Sequence, residues 1–295
     1  MWPFGHKRLG LVLGSGSARG LAHIGVLRVF EEAGIRPDVI TGTSMGALIG
    51  AMWAAGKTAA EIEAIAGSFD MRTLMSLADV TIKGGAILSG SKVEAFLRAH
   101  LPATFEELRV PFACVATDLS TGERVVFRRG DLVQAVRASL SVPVVLMPVR
   151  DGERVLVDGF LTDPVPVSLA RELGASVIAA VDVSGAGRLT SQADQDDPGG
   201  WFRDLRAALR GEGPRTRGTS SLEVAAATVE VMERQLALVS LKHADVVITP
   251  AVGGYAGYQF LSSRELVDLG AAAAREAIEE VRRKTHQSDS RQSTR

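Results

Sequence analysis

The chain has a single cysteine, Cys114, among its 295 residues, so it can form no internal disulfide, and a secreted scaffold held together by disulfides is excluded. Cys114 lies inside the apolar run Pro111 to Ala116, which marks it as a small core residue. Charge of either sign is nearly absent on balance: the formal net charge is −1. A polyanion partner demands a concentrated basic surface, so no nucleic acid is expected. Long hydrophobic runs are missing too, because stretches such as Ala175 to Val181 fall far short of the roughly 20 residues a spanning helix requires. Met1 to Arg8 runs straight into the first strand-like segment, leaving no room for a signal peptide. Histidines are few, five in all, and that scarcity becomes important once a nucleophile needs a base.

What remains is a globular composition, 46% apolar and 23% charged, in a chain long enough to build a substantial core. Strand-like and helix-like segments alternate through the first half, which favours a parallel sheet covered by helices. Leu9 to Leu13 reads as a strand. A helix follows from about Gly20 to Ala33, with Leu21, Ile24, Leu27 and Phe30 on one face and Gly34 as its stop. Asp38 to Thr41 is a second strand and Met45 to Ala55 a second helix. Capping boxes at Thr58/Glu61, Ser91/Glu94, Thr104/Glu107 and Ser262/Glu265 mark further helix starts. Pro111 to Thr117 and Glu123 to Arg128 flank a Gly122 turn and read as a hairpin. Helices over Leu132 to Ser139, Val165 to Leu173, Leu222 to Leu241 and Ser263 to Arg283 are interleaved with strands at Arg154 to Val157, Ser176 to Val183 and Asp245 to Thr249. Residues 184–220 turn to Gly, Asp, Gln, Ser, Pro and Arg, and read as a mobile surface insertion.

Two glycine-rich turns stand close together near the N-terminus: Gly14-Ser15-Gly16-Ser17-Ala18-Arg19-Gly20, and Gly42-Thr43-Ser44-Met45-Gly46. Each follows a strand and opens a helix. The second fits the GxSxG nucleophile elbow, in which small neighbours let a sharp turn push the serine hydroxyl clear of the backbone. On its own Ser44 reads equally well as a helix N-cap. The first turn is a poor dinucleotide fingerprint, because Arg19 stands where the third glycine belongs. It is no Walker A loop either, since Gly20-Leu21 supplies neither lysine nor hydroxyl. An anion-binding loop at a helix N-terminus survives, with amides for the oxygen of a tetrahedral intermediate. Arg19 either braces that loop or meets an anionic headgroup.

A serine nucleophile needs a base, and none of His6, His23, His100, His243 and His286 lies in a convincing loop motif. A carboxylate in a partly desolvated site can take the proton instead. The best candidate is Asp158 in Leu156-Val157-Asp158-Gly159-Phe160, where an apolar strand ends in a glycine turn. That position leaves the carboxylate exposed at the C-terminal edge of its strand, the usual ligand side of an α/β sheet. An ordinary Asp-Gly turn is the plainer reading of the same residues.

Taken together, the glycine-rich loop, the serine elbow and the distal Asp-Gly motif resemble the patatin-like phospholipase family, in its bacterial single-domain form. Leu21 to Leu27, Ala116 to Gly122, Ala138 to Pro143, Pro164 to Val167 and Ala244 to Gly254 also look like family segments. The resemblance implies a three-layer α/β sandwich with a mainly parallel central sheet and helices on both faces. It implies one acyl hydrolase domain over 8–283 carrying the insertion 184–220, with 284–295 a disordered tail. By the same resemblance Ser44 is the nucleophile and Asp158 its only side-chain partner. Gly42 and Gly46 shape the elbow, Gly159 completes the acid motif, and the loop of Gly14, Ser15, Gly16, Ser17, Arg19 and Gly20 forms the oxyanion hole. No metal or organic cofactor is implied. The expected reaction is hydrolysis of fatty-acyl esters of lipids. Phe160 stands where the family usually has Gly or Ala, and it motivates the rival reading, a catalytically weak lipid-binding or regulatory protein on the same fold. The expected location is cytoplasmic. Trp201 to Arg210 mixes aromatic and basic residues as interfacial helices do, which offers peripheral membrane contact, with packing over the active-site side the equal alternative.

Overall fold

Strands of a parallel sheet read as continuous apolar runs when helices cover both faces. Leu9–Leu13 and Val177–Val181 have that character, and every residue in them is buried. The computed structural model describes residues 7–67, 90–143, 145–185, 221–255 and 263–286, with the backbone course alone for 221–227 and 286. Among these residues one mixed sheet of eight strands forms the middle layer. Its members are β1 (Leu9–Leu13), β2 (Val39–Thr43), β3 (Phe112–Asp118), β4 (Arg124–Phe127), β5 (Val149–Asp151), β6 (Arg154–Asp158), β7 (Val177–Val181) and β8 (Val246–Ile248). Followed through hydrogen-bonded neighbours, the strands connect as β5-β6-β3-β2-β1-β7-β8, with β4 also paired to β3. The strands from β3 to β8 in that order run parallel, whereas β4, β5 and β6 add antiparallel pairings.

The helices are α1 (Ala22–Glu32), α2 (Met45–Ala54), α3 (Ala59–Gly67), α4 (Ser91–His100), α5 (Leu132–Ser139), α6 (Val167–Glu172), α7 (Ser221–Leu241) and α8 (Ser263–His286). Successive side chains on a strand point to opposite faces, and β1 shows where each layer lies. Leu9, Leu11 and Leu13 pack with Ile24 and Phe30 of α1, Ala47 of α2 and Val267 of α8. Val12 faces the other way, towards Val167 and Ala170 of α6 and Ala237 of α7. Helices therefore cover both faces, as the expected three-layer arrangement requires.

The local signals behind this fold are mostly those of the sequence. The apolar face of α1 is buried at Leu21, Ile24, Leu27 and Phe30, and Gly34 follows with φ of 67°. The hairpin forms between β3 and β4 with Gly122 at φ 74°. Capping boxes close at Thr58/Glu61 and at Thr104/Glu107. At Ser91 the expectation needs correcting: Gly90, in the left-handed region, is the N-cap of α4 and Ser91 is already its first helical residue. β5 is an addition, a three-residue edge strand whose last two residues are exposed. The last helix continues to His286. Residues 186–220, including Trp201 to Arg210, lie outside the described residues, as do Ser262 and 287–295.

One feature of register positions the site. β4 overlaps both β2 and β6 along β3, pairing Cys114 to Thr117, so β2 and β6 must share the opposite edge of β3. Thr43 of β2 stands opposite Val115, and Asp158 of β6 opposite the next residue, Ala116. The two strands meet end to end from opposite directions, and Ser44 and Asp158 are the residues at the join.

Candidate active site

Ser44 is the single residue between β2 and α2. Its backbone is at φ 56° and ψ −122°, and among the described residues only Ser17 shares a positive φ without being glycine. Such a conformation costs about 1–3 kcal/mol and persists only where its surroundings impose it. The imposing contacts are visible. The Ser44 N–H donates to Ser139 Oγ at 2.9 Å. At Gly46 a Cβ would stand 2.6 Å from the Gly14 carbonyl oxygen and closer still to that of Leu13, so the elbow closes only around a hydrogen.

The result is a buried serine hydroxyl donating to Asp158 Oδ2 at 2.6 Å, with Ser44 4% and Asp158 0% exposed. Ser44 occupies the N-cap position of α2, yet its side chain makes no capping bond there. Asp158 serves the plain turn and the pair at once, because its second oxygen accepts from the Phe160 N–H at 3.0 Å. The Asp158 N–H donates to the Ser141 carbonyl. Gly159 is pressed against the Val115 carbonyl, where any Cβ would collide. Two expectations about Asp158 are corrected. β6 runs antiparallel to β3, so the carboxylate reaches the C-terminal end of β2 from the opposite direction rather than as the end of a parallel strand, and it is buried rather than exposed. Burial pushes its carboxyl up to about 8, against the opposing pull of the Ser44 hydroxyl and the Phe160 amide; the Glu233 carboxylate adds to the rise.

The glycine-rich loop forms a tight strand exit followed by a 3-10 turn, Ser17–Leu21, leading into α1. The Gly14 N–H donates to the Val181 carbonyl and the Ser15 N–H to that of Pro164. Those two amides are therefore committed to the scaffold, which narrows the expected donor set to Gly16 and the residues after it. Gly20 packs its Cα against the Met45 side chain, joining the loop to the elbow. Arg19 braces rather than opens the site: it is 5% exposed and its guanidinium pairs with Glu230 of α7 at 3.2 Å.

Three participants escaped sequence reasoning. Ser139 fixes the elbow amide. His23 bonds the Gly14 carbonyl through Nε2 at 2.8 Å, and burial pushes its imidazole down to about 4, so the ring is neutral and donates there. Glu233 of α7 accepts a short hydrogen bond from the Ser15 hydroxyl, and burial raises its carboxyl. Ser139 and His23 both lie in segments that resemble the family. Nothing in the local sequence of α7 marks Glu233. Among the described residues no group of three His, Cys, Asp or Glu side chains is arranged to hold a metal ion.

The fold and this site define an α/β sandwich with a hydrogen-bonded serine–carboxylate pair at a sharp strand-to-helix turn. A family model described as patatin-like phospholipase matches residues 11–171, and the chain belongs to that family. An uncharacterized NTE family protein of Mycobacterium tuberculosis (strain ATCC 25618 / H37Rv) is 39% identical over 180 residues, 61% of this chain and 50% of that one. A patatin-like phospholipase domain-containing protein of Caenorhabditis elegans is 33% identical over 92% of this chain and 21% of its own length. Lysophospholipase NTE1 of Pyricularia oryzae is 29% identical over 94% of this chain and 19% of its own. The chain thus spans half the length or less of these curated relatives. Among solved structures, VipD from Legionella pneumophila aligns at a TM-score of 0.47 and 14% identity, covering 93% of this chain and 67% of that one. No helix among the described residues is long and apolar enough to cross a membrane.

Proposed function

We propose that the chain is a serine acyl hydrolase that cleaves fatty-acyl esters of lipids with Ser44 as nucleophile and Asp158 as its base. The observation that carries this reading is the 2.6 Å hydrogen bond between the Ser44 hydroxyl and the buried Asp158 carboxylate at the elbow. A carboxylate of ordinary pKa is a weak base at neutral pH; one raised to about 8 is matched to the task. Ser44 Oγ attacks the ester carbonyl carbon while its proton passes to Asp158. The oxyanion of the tetrahedral intermediate is held by amides of the loop after Ser15 and the field of the adjoining helix start. Collapse expels the alcohol, which takes the proton from Asp158 and leaves an acyl-serine. Water then attacks the acyl-serine, again giving its proton to Asp158, and the acid is released with Ser44 restored.

The name of the fungal relative makes lysophospholipids the first substrates to test. A fluorophosphonate probe should label Ser44, and folded wild-type protein that stays unlabelled would count against the reading. Comparison of lipids released by wild type and Ser44→Ala then identifies the substrate. The rival, a weakly active lipid-binding protein, rested on Phe160. Its ring is 8% exposed and its amide holds the carboxylate, which supports a working dyad. Ester turnover lost in both Ser44→Ala and Asp158→Asn, with folding kept, would remove the rival.

A further inference from the structure

The Ser44 and Asp158 pair is not the only carboxylate system at this end of the sheet. α7 crosses the same face as α6 and carries Glu230, Glu233 and Arg234 towards the glycine-rich loop. Glu233 accepts a short hydrogen bond from the Ser15 hydroxyl. Glu230 is shared by Arg19 of the loop and Arg234 of its own helix, each at 3.2 Å. The same helix packs on the turn Gly159–Leu161 that follows Asp158. Glu233 therefore belongs to a helix that touches both halves of the site: it is bonded to the loop through Ser15, and the helix packs on the turn that follows Asp158.

We infer that Glu233 is a positioning residue of the dyad, fixing the glycine-rich loop through Ser15 and placing a second carboxyl group beside the turn that carries Asp158. The inference rests on the serine hydrolase reading above. The groups facing Glu233 are few. Burial, the largest influence, raises its carboxyl and Glu230 adds to the rise, while Ser15, Arg19 and Arg234 favour the charged form. α6 contributes Arg171 and Glu172, but these are engaged elsewhere, with Asp245 and Arg124. A second carboxylate near a base makes the loss of the base's proton harder, and so makes the base stronger once ionised. The two groups then titrate as a pair.

The test is the pH dependence of Ser44 labelling by a fluorophosphonate, which reads nucleophile activation whatever the lipid substrate. Wild type fixes the midpoint of the rise. Glu233→Gln keeps the shape and the acceptor for Ser15 but removes the charge, and its midpoint should fall by about half a unit to one unit. Glu233→Asp keeps the charge and should hold the midpoint near that of wild type. Glu233→Met, neutral without the hydrogen bond, should show the same fall and serves if Glu233→Gln fails to fold. A folded neutral variant with the wild-type midpoint overturns the inference, as does Glu233→Asp shifting with Glu233→Gln, which would make shape rather than charge the cause. Absence of wild-type labelling overturns the hydrolase reading itself, so the two failures are told apart.

Discussion

Ser44 is held in a backbone conformation that an L-residue resists, and the hydrogen bonds that hold it are the ones that aim its hydroxyl. Strain and aim can be separated by substitution. Ser44→Ala removes the hydroxyl and leaves the strained φ, whereas Ser44→Gly removes both. Both variants should lose labelling and turnover. Urea denaturation should find Ser44→Gly more stable than Ser44→Ala by about 1 kcal/mol, because glycine adopts a φ near 56° without penalty. Equal stability would mean that the elbow carries no strain. At Gly46 the logic runs in reverse. Gly46→Ala places a methyl group against the Leu13 and Gly14 carbonyls, which are backbone and cannot move aside, so a loss of about 3 kcal/mol or more is expected. Labelling of whatever folds should fall with it, since relief of the clash displaces the loop from the elbow.

At the scale of elements, two contacts decide how the layers are held. α1 and α8 pack backbone to backbone: a Cβ at Gly25 would overlap the Val267 carbonyl, and one at Gly270 the Ala22 carbonyl. Gly270→Val should therefore lower the melting temperature markedly, while the fraction still folded labels at Ser44 normally, since neither glycine touches the site. On the opposite face, α7 is tied to the loop by the Arg19–Glu230 pair, whose side chains are 6% and 16% exposed. Much of this architecture was legible. The apolar runs, the 3.6-residue stripe of α1 and the Gly122 turn are local signals, and the structure follows them. β5 was not, because three residues with two exposed carry no pattern to read. The Ser44–Asp158 contact was legible for a partly mistaken reason. The sequence presents Asp158 as a strand-end carboxylate on the ligand edge of a parallel sheet; it does reach that edge, but from an antiparallel strand, because β2 and β6 abut along one edge of β3. Strand direction is a tertiary fact that no single segment encodes. Glu233 was invisible for the same reason, since an acidic residue on one helix acquires a role only when the loop, more than two hundred residues earlier in the chain, is brought beneath it.

For the whole molecule, the site couples activity to stability through protons. Asp158 is raised from 3.8 to about 8 in the folded chain, so between those values the folded state holds a proton that the unfolded state has lost, and stability falls as pH rises. His23 is lowered from 6.5 to about 4, so in that window the unfolded state holds the extra proton and stability rises with pH. Between about 4 and 6.5 the two effects offset each other. From about 6.5 to 8 the His23 contribution is exhausted, and over that span the Asp158 contribution amounts to about 2 kcal/mol lost. This is also the interval in which Asp158 becomes the base that the proposed reaction requires. Labelling of Ser44 should therefore climb with a midpoint near pH 8 while urea midpoints decline. Asp158→Asn has no proton to lose: its stability should change less than that of wild type between pH 6.5 and 8.5, and it should be the more stable protein at the upper end, though inactive throughout. Parallel urea titrations at the two pH values decide the matter. A wild-type curve that falls no faster than that of Asp158→Asn would show that the buried carboxylate is already ionised at pH 6.5, and the match between its pKa and its task would have to be abandoned.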